Sequence, residues 1–168
     1  MKQNALILMV LAVVLGLAAG PARADNGTWL GNSGNWSDPA IWASGTVATG
    51  TDATAFFTGV NITAATTVTV DTAWMIGNTT FTDDTTASHD LTIAGGANTL
   101  TLDVSSGSPV LNVTQNGRSL TIRCALAGDD GLAKSGAGTL VLFGANTFTG
   151  AVVINQRRKR DRLELNGG

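Results

Sequence analysis

No stretch after Ala24 keeps apolar residues at i, i+3, i+4 and i+7 over three turns, because Gly or Thr interrupts every such run. That absence rules against helical bundles and mixed α/β folds and leaves a chain of short strands. The strand strings are "NITAATTVTV" around Val68, "LTI" at Leu91, "TLTLDV" at Thr99, "VLNVT" at Val110, "SLTIRC" at Ser119, "TLVLF" at Thr139, "AVVIN" at Ala151 and "RLELN" at Arg162. They begin roughly 8 to 12 residues apart, the spacing of an all-β chain. The connectors "AGGAN", "SSGSP", "QNG", "AGDDG", "SGAG" and "FGANTFTG" are turn formers.

A β-sandwich could share those features, so repetition decides. "GANTLT" (Gly96 to Thr101) recurs as "GANTFT" (Gly144 to Thr149). "GGANTLTL" (Gly95 to Leu102) also aligns with "SGAGTLVL" (Ser135 to Leu142) at an offset of 40 residues. Self-similarity predicts a stacked architecture. In a parallel β-solenoid each strand bonds to its equivalent about 4.8 Å away in the next coil. Leu, Ile and Val fill the interior, Thr suits the outward pleat, and Gly or Asn turns the corners. Coils of some 20–25 residues would give about six coils and a rod on the order of 30 Å tall.

The N-terminus sets the compartment. Lys2 gives a positive n-region, Ala5 to Ala19 an apolar h-region, and Ala22-Arg23-Ala24 a small-x-small cleavage pattern. The apolar run falls short of the ~20 residues that span a bilayer. Residues 1–24 are therefore read as a cleaved Sec signal peptide, with Ala22 and Ala24 at the peptidase site and an uncleaved anchor as the alternative. Without Lys2 and Arg23, 8 basic side chains remain against 12 acidic ones, a net charge of about −4. Nucleic acid is excluded as a partner.

Cys124 is the single cysteine, so no internal disulfide is available to an exported chain. Period-2 alternation places Leu120, Ile122, Cys124 and Leu126 on one face, with Thr121, Arg123 and Ala125 on the other. Cys124 reads as a small core residue, the alternative being a reactive thiol.

The segment "GDDGLAKSGAGTLVLFGANTFTGAVVIN" (residues 128–155) resembles the autotransporter-associated β-strand repeat, whose run is "GLTKxGxGTLxLxGxNTYTGxTxVxxGTL". Gly131, Leu132, Lys134, Gly136, Gly138, Thr139, Leu140, Leu142, Gly144, Asn146, Thr147, Thr149 and Gly150 fit it, and Phe148 replaces the usual Tyr. "GTWLGNSGNWSDPAIW" (Gly27 to Trp42) and "IGNTTF" (Ile76 to Phe81) look like the lead-in that precedes such repeats, a looser likeness. The resemblance implies a right-handed β-helix passenger of a bacterial exported protein, with no catalytic residues to transfer.

The chain departs from the pattern after Asn155. "QRRKRDR" (Gln156 to Arg162) stands where a short turn is expected and holds five of the eight mature basic residues. It reads as a solvated loop or a frame irregularity, against a basic loop that binds anionic polymer or is cut by protease. The organisation is thus signal peptide 1–24, lead-in and capping region 25–90, solenoid coils 91–156, and basic insertion with the start of a further strand 157–168. Gly168 comes before any amphipathic barrel strands, so the chain reads as a fragment, a truncated gene product, or a passenger anchored by something else.

Catalysis has little to work with. Asp83-Asp84 and Asp129-Asp130 sit in turn-like stretches, and neighbours on a strand face opposite ways, so neither makes a carboxylate dyad. Asp103 and the His89-Asp90 pair complete the candidates, and the single histidine makes no metal cage. Calcium at Asp129-Asp130 lacks ligands. No enzyme activity, cofactor or metal is expected.

Trp29, Trp36 and Trp42 are read as an aromatic cap sealing the first coil, with carbohydrate stacking as the alternative. Trp74 is expected to pack inside. Asn26, Asn35, Asn61, Asn78 and Asn112 head sequons that carry no glycan in a bacterial protein. The sequence thus predicts an exported, non-enzymatic, adhesin-like scaffold at the cell surface, outer membrane or outside. Its expected partners are an extracellular glycan or neighbouring cell surface and further coils of a longer protein. A carbohydrate-binding or polysaccharide-degrading module is the alternative.

Overall fold

The computed structural model of the chain describes residues 24–59, 62–83, 89–155 and 162–165. Apart from Ala24, the signal segment and its Ala22 lie outside the described residues, as do positions 156–161 of the basic insertion. The strands are β1 (Gly27–Thr28), β2 (Gly34–Asn35), β3 (Gly50–Phe57), β4 (Thr66–Thr69), β5 (Trp74–Phe81), β6 (Leu91–Ala94), β7 (Thr99–Leu102), β8 (Val110–Val113), β9 (Ser119–Ile122), β10 (Ala125–Ala127), β11 (Leu132–Ser135), β12 (Thr139–Leu142), β13 (Val152–Ile154) and β14 (Arg162–Leu165). Every string expected to be a strand is one. Helix among the described residues is limited to two 3-10 turns, Pro39–Ile41 and Ala43–Gly45.

All pairings between these strands are parallel, in two sheets. One runs β1-β3-β5-β8-β11-β13 and the other β2-β4-β6-β9-β12-β14, so the chain alternates between them for six coils. This is the parallel β-solenoid expected from the sequence. It arises because period-2 strings bury one face each and need a like neighbour to satisfy the edges.

The stacking is residue on residue. Thr66, Leu91, Leu120, Leu140 and Leu163 form one inward ladder, and Val68, Ile93, Ile122, Leu142 and Leu165 the next. Thr67, Thr92, Thr121 and Val141 form the matching outward column. In the facing sheet, Ala55, Thr79, Leu111, Lys134 and Ile154 stack inward. Burial of each aliphatic side chain contributes roughly 1.5–3 kcal/mol, and the backbone ladder satisfies the polar groups between them.

Coil lengths are less even than expected. Register steps run from 20 residues (Ser119↔Thr139) to 34 (Gly34↔Val68). One cause is that β5 serves two strands. Trp74 to Ile76 pair with β7, whereas Thr79 to Phe81 pair with β8. Gly77 sits at the split, where a Cβ would come within 2.7 Å of the Asp52 backbone. Asp52 itself takes positive φ (64°) at a register shift in the β3–β5 pair, and its amide reaches across to Asp103 O at 3.1 Å. From here each coil has an extra face, carried by β7 and then β10.

That third face explains one sequence echo and disqualifies the other. Leu100 stacks on Leu126, and the amides of Thr147 and Phe148 reach Leu126 O, so "GANTLT" and "GANTFT" occupy one face two coils apart. The echo at an offset of 40 is not a stacking register. β12 stacks on β9 and β14, while β7 belongs to the other sheet.

Candidate functional site

The N-terminal end is closed by side chains and backbone together. Trp29, Trp36, Trp42 and Phe57 are buried to within 1% and their rings interlock, with Trp36 5.2 Å from Trp42 and 6.0 Å from Phe57 between centroids. Each indole N–H has a carbonyl: Trp29 Nε1 donates to Asn32 O (2.9 Å), Trp36 Nε1 to Ala48 O (3.0 Å) and Trp42 Nε1 to Trp36 O (2.8 Å). Asp25 and Thr49 exchange amide bonds as an antiparallel bridge, and Trp29 faces Trp42 in a second one beside the Leu30 N–H bond to Ile41 O (2.9 Å), so residues 42–49 cover the outer edge of β1. With faces buried and N–H groups engaged, none of the three indoles offers a sugar platform; the stacking reading is corrected on that geometry. Trp74 is half-buried against the core.

The repeat segment is built to dock on its neighbours' backbone. A Cβ on Gly136 would land on Val113 O, one on Gly144 on Cys124 O, and one on Gly138 against the Val113 side chain, so each glycine marks a near-contact with the coil below. Asn146 Oδ1 accepts from Leu126 N at 2.9 Å, standing in for a strand carbonyl where regular pairing stops. Thr139 and Leu140 lie on Ser119 and Leu120. The amides of Thr147 and Gly131 reach Leu126 O (2.8 Å) and Thr149 O (2.9 Å), and Gly150 turns at φ 90° beside Gly131.

Lys134 is the least expected member. It occupies an inward position, stacked between Leu111 and Ile154, and is fully buried. Its Nζ donates to Ser135 O (2.7 Å) and Gly136 O (2.8 Å), tying down the turn carbonyls that the glycine exposes. Alternation from Leu132 places Lys134 on the inward face, and only its charge argues for solvent.

Two of the acidic candidates, Asp90 and Asp130, work as coil stitches, as do Asp71 and Asp52. Asp71 accepts from Ser37 N (3.1 Å) and Oγ (2.5 Å), Asp90 from Ser119 N (2.8 Å), Asp130 from Val104 N (3.1 Å) and Asp52 from Ser105 N (2.9 Å). Asp103 accepts from the Thr51 hydroxyl. Asp83 is buried and takes the His89 amide at 3.0 Å, while His89 Nδ1 lies 2.8 Å from Ile62 O. Ser37 bonding holds the Asp71 carboxyl below its ordinary value, and Ser105 does the same for Asp52. Asp129 is exposed in the turn, and Asp84 lies outside the described residues. Among the described residues no three His, Cys, Asp or Glu side chains group as metal ligands.

Cys124 lies inside, flush with Leu120, Ile122 and Leu126, and burial pushes its thiol up to about 11. On the outside, the Arg123 guanidinium sits 4.7 Å from the centre of the Phe143 ring. At the far end Val152, Val153, Ile154 and Leu165 are exposed. Three consecutive apolar residues in "AVVIN" were the available clue, since a strand apolar on both faces needs a cover.

A family model described as the passenger-associated-transport-repeat matches residues 132–156. Over 132 residues the chain is 36% identical to "Adhesin BmaC autotransporter" of Brucella suis biovar 1 (strain 1330). That match covers 79% of this chain, and the chain spans 4% of the length of that relative. No solved structure matches the chain.

Proposed function

We propose, on the premise that this chain is an autotransporter-associated repeat protein, that it is an exported scaffold segment displayed at the bacterial surface or released from it. Its work is to present a stiff, hydroxyl-rich outer face for adhesion and to perform no chemistry. The observation that carries this reading is the continuous parallel stack of six coils among the described residues, in which Asp52, Asp71, Asp90 and Asp130 tie coil to coil. The similarity to an adhesin supports attachment as the role, with a host or neighbouring cell surface as the target and further coils of a longer passenger continuing the stack. Residues 1–24 act as a Sec signal cleaved after Ala24.

The carbohydrate alternative loses its residues once the lead-in tryptophans are buried. Epitope-tagged chain produced in a Gram-negative host should be found outside the inner membrane, with a new N-terminus at Asp25. Purified chain should coat cultured epithelial cells without hydrolysing a polysaccharide panel. Retention in the cytoplasm would sink the export reading, and saturable cleavage of any glycan would sink the scaffold reading.

A further inference from the structure

Three Asn-Gly bonds occur in the sequence, at Asn26, Asn116 and Asn166, and the last lies outside the described residues. A glycine amide has no side chain to shield it and can attack the asparagine side chain that precedes it. Whether it does so depends on freedom at that one joint, because the nitrogen must be brought onto Cγ. The fold treats its two described copies oppositely.

Asn26-Gly27 is locked. Asn26 Oδ1 accepts the Thr54 amide at 2.7 Å, and Gly27 is buried in β1, paired with Ala55. A Cβ on Gly27 would stand 2.6 Å from Ala48 N and 2.8 Å from the Trp42 ring, so the main chain there has no room to swing. Asn116-Gly117 is open. It forms the exposed centre of the turn from β8 to β9, closed by the Arg118 N–H on Gln115 O at 3.3 Å. Gly117 holds φ 78°, the value a type II turn asks of its third residue, and nothing lies within 4 Å of where its Cβ would stand.

We propose that Asn116-Gly117 is a site of spontaneous deamidation, and that the isoaspartate formed there loosens the repeat coil docked on this turn. The proposal rests on main-chain chemistry and holds whatever surface the chain adheres to. The Gly117 nitrogen bonds to Asn116 Cγ and gives up its proton; the Cγ–Nδ2 bond breaks and ammonia leaves, closing a succinimide. Water then opens the ring. Attack at Cγ leaves aspartate in the normal chain, whereas attack at the main-chain carbonyl carbon of residue 116 routes the chain through Cγ, as isoaspartate.

The second route matters because it adds one carbon to the main chain where the next coil is seated. The Thr139 N–H donates to Arg118 O and the Gly138 N–H to Val113 O, both at 2.8 Å. Gly138 packs so closely on the turn that a Cβ would come within 2.6 Å of Gln115 O and 2.8 Å of Arg118 O. Lengthening the chain between those two oxygens lifts the entry to β12 off β9.

Ageing the purified chain at mildly alkaline pH tests this. Isoaspartate is read by isoaspartyl methyltransferase labelling and placed by a peptide map that separates residues 26, 116 and 166, with chain unfolded in urea aged alongside. The folded chain should label at Asn116 roughly tenfold or more over Asn26, and the unfolded chain at both alike. Hydrogen exchange at Gly138 and Thr139 in the aged protein should quicken several-fold, while exchange in β1 to β4 stays as it was. Asn116→Gln, whose side chain is one carbon too long for the five-membered ring, should abolish both effects. Asn116→Asp adds the charge without the extra main-chain carbon and should leave Gly138 and Thr139 near their starting rates. Equal labelling of Asn26 and Asn116 in the folded chain, or none at Asn116, overturns the site. Labelling at Asn116 without faster exchange at Gly138 and Thr139, or the same quickening in unaged Asn116→Asp, overturns the coupling to the next coil.

Discussion

The first two coils and the last three solve the same packing problem with different materials. Between β1 and β4 the interior is aromatic, with Trp29, Trp36, Trp42 and Phe57 packed around Ala48 and Ala55, and the steps are long. From β9 onward the interior is aliphatic apart from Cys124 and Lys134, the steps are 20 to 26 residues, and glycines bring backbone against backbone. The difference teaches what a repeat is for. A coil that must fit an identical coil above and below needs flat, thin, interchangeable residues. A coil whose outer edge is covered by its own fold-back needs bulk that fills the space under that cover, and such bulk fits one place only.

The sharpest way to break the comparison is Trp36→Ala. The indole is fully buried, packs on two rings and holds the Ala48 carbonyl. The loss should be about 3–5 kcal/mol, read by urea denaturation. In a stack where each coil touches only its neighbours, the damage should also stay local. Hydrogen exchange should accelerate in β1 to β4 well before β11 and β12. Equal acceleration throughout would mean that the two regions are one cooperative block.

Gly144→Ala attacks the other region on its own terms. The new methyl meets the Cys124 carbonyl, and the coils must separate to admit it, at a cost of about 1–3 kcal/mol. Gly96→Ala is the control, because a Cβ there meets nothing and only the positive φ of 52° opposes it. That should cost about 1 kcal/mol. If both glycines prove equal, close coil approach is not what the repeat's glycine secures. Lys134→Met keeps the bulk and deletes the amine, stranding Ser135 O and Gly136 O; a loss of about 1–2 kcal/mol in thermal melts is expected. Stabilisation by this change would show the buried amine to be a burden.

Legibility in the sequence divides along the same line. The later coils were readable because Leu, Ile and Val alternate with Thr and Ser, and the turn residues fall at short intervals. The two longest strands, β3 and β5, went unread. In β3 the inward residues are Ala53, Ala55 and Phe57, too small to stand out among threonines. In β5 the run is broken by Gly77 and Asn78, whose purpose is the split between β7 and β8, a contact between residues far apart in the chain. The same reason hid the coil stitching. An aspartate in a turn looks alike whether it bonds its own loop or the amide of a residue one coil away, as Asp71 does with Ser37. The aromatic cap was legible as a cluster, yet its burial depended on residues 42–49 folding back over β1, which no local pattern announces.

The two regions should also respond to opposite ends of the pH scale, and this is the smallest effect expected. Burial raises Cys124 from 9.0 to about 11, so between those values the unfolded chain gains a thiolate that the fold refuses. Stability is unaffected below about pH 9 and falls above it, by about 1.4 kcal/mol at pH 10. Thiol reagents should meet Cys124 only after the later coils open. Asp71 runs the other way: the Ser37 hydroxyl lowers its carboxyl, so its contribution is present above the ordinary carboxylate range and lost as acid titrates it. Because that carboxylate is solvent-exposed, the sign is the prediction. Below about pH 4, exchange should quicken at Ser37, which Asp71 ties to the second coil, while Cys124 stays shielded. If acid exposes Cys124 before Ser37, the first coil is not the separately held unit that its tryptophans make it.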